Sequence, residues 1–249
     1  MRLTRQSAAL FHLAASALVV GAVAAVLFGA WYPGPFRHLS GGLTLFFILA
    51  GVDVVLGPVL TALVVRPGKS RRALTIDLTV IVVLQACALG YGIWTMAAAR
   101  PVWLAFEVDL FRVVRAVDVA DDQLPEAPQA LRSLSWSGPR LMAADKPAGD
   151  RQVEAIMLGL HGVHLAMQPR YWAPFDSQRG QVWDRGRTFA ELPDALRQRL
   201  DAELHYWPGH SRPPPQDLRW LPVMSSRANW TVFVDRSGSP VAFAPLEAP

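Results

Sequence analysis

Three apolar runs occupy the first hundred residues: Leu10 to Ala30, Leu43 to Val65 and roughly Leu74 to Ala99. A hydrocarbon core of roughly 30 Å takes about 20 helical residues, so each run is long enough to span. Beyond Arg100 the pattern shortens. Val102, Leu104, Phe106 and Val108 alternate with Trp103, Ala105, Glu107 and Asp109. This predicts a strand, which Phe111, Val113 and Val114 carry on to about Val119. Arg140 to Ala144 reads as another strand. Asp150 is placed to cap a helix reaching about Leu160, with Val153, Ile156, Met157 and Leu160 on one apolar face. A further helix is expected from Pro193 to about His205. Asp121 to Pro139 and Trp207 to Pro215 are dense in breakers and read as loops. Asn229–Asp235 and Pro240–Ala244 flank Arg236-Ser237-Gly238-Ser239, a hairpin signal. The fold class is therefore a membrane protein, three transmembrane α-helices followed by a small extracytoplasmic α+β domain. The division falls at residues 1–99 and 100–249.

Charge supplies an orientation. Arg66-Pro67-Gly68-Lys69-Ser70-Arg71-Arg72 holds four bases, whereas Trp31 to Gly42 holds only Arg37. The positive-inside rule puts the N-terminus and the Arg66–Arg72 loop in the cytoplasm. Three spans then carry everything after Arg100 outside it, which in a bacterial inner membrane is the periplasm. Trp31, Tyr32, Tyr91, Trp94 and Trp103 are expected as an aromatic belt at the outer interface. The first run exceeds the 7–15 residues of a signal-peptide core. It also puts Phe28 or Leu27 where cleavage needs a small residue, so an uncleaved span is expected. The net charge of +4 belongs to the membrane flanks, since residues from Arg100 onward carry 17 bases and 18 acids. A lipid bilayer, and no nucleic acid, is the partner that this distribution implies.

Asp53 interrupts the second run, and Gly57-Pro58 follows it. Such a carboxylate costs roughly 2.5–3.5 kcal/mol at a helix centre on insertion scales. Asp53, Gly57 and Thr61 share one face, and Asp77, Ile81, Gln85, Ala88 and Gly92 lie along one side of the third span. Asp53 and Gln85 fall at similar depth, so a hydrogen bond between a protonated Asp53 and Gln85 is the economical arrangement. An interhelical clasp, docking of a partner helix and proton transport stay open, although two acids in three spans make a poor relay. Pro58 leaves an inner carbonyl free for another bond. Asp77 is expected to meet headgroups or Arg71-Arg72. In the first span, Ala17, Gly21, Ala25 and Gly29 form a small-residue stripe suited to close packing. The candidate interhelical or partner contacts are thus Asp53, Gly57, Pro58, Thr61, Asp77 and Gln85.

Candidate chemistry is sparse elsewhere. His161 and His164, with His205 and His210, lack further ligands in metal-binding register. Cys87 is the single cysteine. Asn229-Trp230-Thr231 matches a glycosylation sequon inside a strand pattern, and is read as coincidence. Glu107 and Asp109 would share a strand face as solvated edge residues. No nucleophile elbow, P-loop or dinucleotide fingerprint is present. Neither an enzyme, a cofactor nor a metal is expected.

Several phrases together resemble a known family. They are Trp31-Tyr32-Pro33, Gly41-Gly42, Val52 to Thr61, Lys69, Asp77-Leu78, Leu84-Gln85, Tyr91-Gly92 and Arg100-Pro101-Val102. Distally, Phe111-Arg112-Val113-Val114, Trp136-Ser137-Gly138-Pro139, Leu221-Pro222-Val223 and Asn229-Trp230-Thr231-Val232 join them. The set resembles the type IV pilin accessory proteins of the TfpX/TfpZ type, over nearly the whole chain except about Gln178 to Pro215. The resemblance implies an inner-membrane protein that assists type IV pilus assembly by acting on a cognate pilin, major or minor. Other pilus assembly components are further partners, and neither catalysis nor a cofactor is implied. The chain is not expected to be a pilin, having three spans and no short basic leader followed by Phe and a fifth-position Glu. A membrane-anchored sensor or scaffold with an extracytoplasmic ligand-binding domain is the alternative.

Overall fold

The computed structural model describes residues 4–66, 68–192, 194, 197–198, 204–206 and 214–245. Contacts divide the chain into two units, Met1–Gly29 with Gly42–Ala98, and Ala30–Gly41 with Ala99–Pro249.

The first unit contains the three apolar helices. The proximal half of the chain forms α1 (Arg5–Trp31), the one-turn α2 (Phe36–Leu39), α3 (Gly42–Val64) and α4 (Arg71–Ala98). Of these, α1, α3 and α4 are long and apolar enough to cross a membrane. Thr4 and Ser7 cap the start of α1 reciprocally: the Thr4 hydroxyl accepts from the Ser7 amide at 3.1 Å, and Ser7 Oγ accepts from the Thr4 amide at 3.0 Å. α1 buries Ser16, Val20 and Leu27. The Ala17, Gly21, Ala25, Gly29 stripe faces outward instead of packing. The physical reason is His12, whose Nδ1 shares a 2.6 Å hydrogen bond with Thr61 of α3. His12, Ser16 and Val20 lie on one face at helical spacing, and the polar bond selects that face.

The α3–α4 contact uses glycine where closeness demands it. A Cβ at Gly92 would overlap the Leu49 side chain, and one at Gly57 would overlap Gln85. Between Val52 and Leu56, α3 widens into a π-helical turn. Asp77 pairs with Lys69 of the preceding loop. Lys69, rather than Arg71-Arg72, thus meets the carboxylate.

Among the described residues, the second unit is built on a mixed sheet of nine strands. They are β1 (Pro101–Glu107), β2 (Leu110–Arg115), β3 (Arg140–Ala144), β4 (Trp172–Ala173), β5 (Arg187–Thr188), β6 (His205–Tyr206), β7 (Arg219–Met224), β8 (Asn229–Val234) and β9 (Pro240–Ala244). Their order is β4-β3-β1-β2-β7-β8-β9-β6, with β5 paired to β7. β1 runs parallel to β3, β2 runs parallel to β7, and the remaining pairs are antiparallel. The predicted strand at Arg140–Ala144 is β3, and the predicted helix is α5 (Asp150–Leu160), with Gly149 rather than Asp150 at the cap. A shorter helix, α6 (Arg179–Arg185), follows. The helix expected from Pro193 to His205 and the loop from Trp207 lie largely outside the described residues, and His210 lies wholly outside them. The long strand expected from Val102 to Val119 is two strands, turning at Val108-Asp109. Val108 has φ 62°, a left-handed conformation that is strained for a β-branched residue.

Both faces of the sheet are covered. Leu104, Phe106, Phe111, Val113, Leu221, Val223, Val232 and Phe243 meet on one side, together with Phe36 and Leu39 of α2. Trp103, Ala105, Val114, Met142 and Trp172 meet on the other, beneath Val119, Ala127 and Leu131. The segment joining the first two apolar helices is thus built into the core of the distal domain. Phe36 is 1% exposed and Leu39 is fully buried. The Ser225 hydroxyl donates to the Leu39 carbonyl at 2.5 Å, and Arg227 lies against Gly41. Two expected belt residues are therefore core residues. Trp103 is buried because β1 has a second layer over its outer face, and Tyr32 because its loop folds into the domain.

Replacing Phe36 by Ala is expected to destabilise the distal domain by about 3–5 kcal/mol, although it sits in a short connector. The check is denaturant unfolding of the detergent-solubilised protein, followed by limited proteolysis of the distal half. Ala substitution at exposed Arg37 in the same turn should change stability by less than about 0.5 kcal/mol.

Candidate functional site

The polar groups of the first unit converge on Asp53. It sits at the middle of α3 and is 4% exposed. Gly57 and Thr61 are buried on the same face. The π turn explains why Gln85 is there. In an i→i+5 register the Asp53 carbonyl would be met by the N–H of residue 58, which is proline and has none. Gln85 of α4 supplies the missing donor, its Nε2 donating to the Asp53 carbonyl oxygen at 3.1 Å. Gln85 is thus the neighbour of Asp53 that its depth predicts, and it bonds the backbone carbonyl as well as standing beside the carboxyl group. Both Asp53 carboxyl oxygens are buried without a hydrogen-bond partner. His12, which sequence reasoning passed over, reaches the same neighbourhood from α1. It was detectable as an ionisable residue three positions into the first apolar run.

Two cavities meet at Asp53. One, of about 260 Å³, runs between α3 and α4 past Leu49, Ala88 and Gly92. The other, of about 230 Å³, lies between α1 and α4, with His12, Ser16, Val82 and Gln85 on its walls. Asp77 lines neither cavity, and Cys87 is exposed on the helix surface.

In the second unit, three of the phrases that carry the family resemblance gather at one junction. Arg100 Nε donates to the Ser135 carbonyl at 3.0 Å, while its guanidinium stacks 3.7 Å from the Trp136 ring centre. Trp31 packs against Trp136 at 5.7 Å. Pro33 lies against Gly138, whose φ of 81° already excludes most side chains. Tyr32 is fully enclosed, and its burial pushes the phenol well above its ordinary range despite nearby Arg115 and Arg100. Arg115 in turn holds Asp118 through bonds of 3.0 and 2.6 Å, which raise its own affinity for a proton.

A cavity of about 360 Å³ opens at the β1–β2 turn, between Glu107, Val108, Lys146, His164 and the Gln152–Gly159 side of α5. Glu107 accepts from Arg112 Nε at 2.9 Å, both side chains being 11% exposed, so it is a buried ion pair rather than a solvated edge residue. His164 is pushed below the ordinary histidine range, chiefly by burial and then by Arg112, with Glu107 and Asp118 opposing. His161 instead bonds the Met157 carbonyl of its own helix at 2.8 Å. Among the described residues, no three His, Cys, Asp or Glu side chains gather as a metal site. Above this cavity α5 is barely packed: it buries only Ala155, and Val153, Ile156, Met157 and Leu160 are each more than half exposed. Thr231 of the sequon is buried in β8.

Three apolar helices leading into an α+β sheet define a multi-pass membrane protein with an extramembrane domain. Residues 3–41 match the family model described as Fimbrial assembly protein FimB. The chain is 29% identical over 229 residues to a fimbrial assembly protein, serogroup E1, of Dichelobacter nodosus, covering 91% of this chain and 89% of that one. The serogroup I protein of the same organism is likewise 29% identical, over 230 residues. The protein of serogroups C1 and C2 is 36% identical over 116 residues, 47% of this chain and 88% of the relative. The chain belongs to this fimbrial assembly protein family, in agreement with its resemblance to pilin accessory proteins. No solved structure matches it significantly.

His164 and His38 are both held below the ordinary value of 6.5, in each case first by burial. The unfolded chain therefore binds more protons than the folded one, so stability is full above that value and falls as pH drops below it. Denaturation midpoints taken between about pH 7.5 and about pH 5.5 should decline, and His164→Gln should flatten the decline.

Proposed function

We propose that this protein assists type IV pilus assembly from the bacterial inner membrane by engaging a pilin directly, without catalysis or a cofactor. The observation that carries the proposal is its relationship, over 91% of the chain, to proteins named for fimbrial assembly. In this reading the N-terminus and the loop at Arg66–Arg72 are cytoplasmic, following the positive-inside rule, and the sheet domain is periplasmic. Residues 30–41 and 99–249 fold together, so they must share one side of the membrane. That requirement fits three crossings and leaves the basic loop on the opposite side.

The exposed face of α5 supports direct contact with a pilin. Val153, Ile156, Met157 and Leu160 make an apolar strip of the kind that marks interaction sites. The strip borders Glu107 and Val108, at the end of β1 remote from Pro101. A second reading, a sensor or scaffold with a ligand-binding domain, draws on the cavity beneath α5 and its charged lining of Glu107, Lys146 and His164.

Ile156→Glu combined with Leu160→Glu should leave protein levels and unfolding unchanged, since both side chains are already solvated. Surface pili counted by electron microscopy should fall at least about tenfold if the strip contributes a few kcal/mol of contact. A photoreactive residue at Met157 should crosslink to the cognate pilin in cells. Normal piliation of the double variant, with no pilin adduct, would refute engagement through α5.

A further inference from the structure

Among the described residues of the second unit, large apolar side chains more than half exposed stand at two places. One is the face of α5, and the other is the pair Val117 and Trp136. Singly exposed apolar residues are ordinary, so what matters is where this pair stands. Sheet register fixes the place. Pro101 pairs with Arg115 and Trp103 with Arg140, so the exit of β2 and the entry to β3 share the sheet end where β1 starts. Arg100, two residues beyond the end of α4, holds both loops. Its carbonyl accepts from the Ala116 amide at 3.0 Å, beside Val117. Its Nε donates to the Ser135 carbonyl at 3.0 Å, beside Trp136. The second loop also touches the last turn of α1: Trp136 packs on Trp31, and a Cβ at Gly138 would meet Pro33 and the Ala30 carbonyl. Both exposed side chains thus adjoin residues at which the chain leaves an apolar helix.

We propose that Val117 and Trp136 form a lipid-contact site, which inserts into the phospholipid headgroup layer at the ends of the crossing helices. The chemistry of the two loops fits that occupant. Tryptophan favours this layer because its ring is apolar and its N–H is polar. Arg100, stacked 3.7 Å from the Trp136 ring centre, holds the indole in one orientation. Gln129 to Ala144 contains two bases, the exposed Arg132 and Arg140, and no acid. Exposed guanidinium groups on either side of the indole in sequence suit lipid phosphates. Asp118, in the other loop, is paired with Arg115 at 2.6 Å and so presents no free carboxylate to them. Trp103 and Tyr32, which are buried in the domain, are thereby replaced in the interfacial belt by residues carried on loops. The inference needs helices that cross a membrane but no pilin, and so goes beyond the proposed function.

The test uses the full chain, with Cys87→Ser, in vesicles of phosphatidylethanolamine and phosphatidylglycerol. A nitroxide is attached at Val117→Cys or at Ser137→Cys, both exposed positions. Its collisions with oxygen and with a water-soluble nickel chelate are then measured by power saturation. A label at exposed Leu18→Cys of α1 gives the bilayer reference. One at exposed Asp109→Cys, in the turn that follows β1, gives the aqueous reference. The ratio of oxygen to nickel collisions at the Val117 and Ser137 sites should be several-fold higher than at the Asp109 site. Trp136→Ser should lower the ratio at the Ser137 site several-fold, and Trp136→Tyr, which keeps an amphipathic ring, should restore it. Ratios no higher than at the Asp109 site would overturn the lipid contact. Poor access of both reagents would overturn it too, since that marks cover by a second copy of the chain. A ratio at the Ser137 site that Trp136→Ser leaves unmoved would overturn the part given to the indole. If the Leu18 site is also aqueous, the membrane reading of the helices falls, and this inference falls with it.

Discussion

The structure depends on one long-range return. Residues 30–41 leave the first apolar helix and enter the second, yet Phe36 and Leu39 lie under a sheet whose strands begin sixty residues later. Burying two such side chains is worth roughly 1.5–3 kcal/mol each. That gain is made only when the sheet has formed. Around it the junction of Trp31, Tyr32 and Pro33 with Arg100, Trp136 and Gly138 closes the same loop from its other end. Trp31, Tyr32, Arg100 and Trp136 thus form a single knot, although the chain separates them widely. Of the phrases that carry the family resemblance, Trp31-Tyr32-Pro33, Arg100-Pro101-Val102 and Trp136-Ser137-Gly138-Pro139 meet in this knot.

In the membrane unit, the constraint is the demand for backbone partners in a medium without water. Pro58 removes one donor, the π turn shifts the register, and Gln85 restores the balance from the neighbouring helix. Gly57 is needed because Gln85 must pass close to the backbone to do so. Asp53, Gly57, Pro58 and Gln85 are therefore one device.

The apolar helices were legible because twenty-residue hydrophobic runs have few other uses, and β3 and α5 because their periods are regular and their ends are marked. The turn at Val108-Asp109 was hidden, since it lacks a glycine or an Asn-Gly signal and forces a valine to positive φ. β7 was hidden by Pro222, which falls where neither β5 nor β2 pairs along its edge. β4, β5 and β6 are two residues long and have no period to read. The importance of Asp53 could be read from its placement, but not the fate of its carboxyl group. That fate depends on a register change in the helix, which composition does not encode. The burial of α2 left only a faint trace, Phe36 and Leu39 at helical spacing inside a connector rich in proline.

The shared core also sets an order of events during biogenesis. Phe36 and Leu39 emerge from the ribosome long before β1 exists, and must wait, exposed, while α3 and α4 are inserted. If α4 failed to cross, β1 would emerge on the opposite side of the membrane from α2, and the sheet would lack part of its floor. A folded distal domain is therefore a certificate of correct insertion: only a chain threaded properly can complete it.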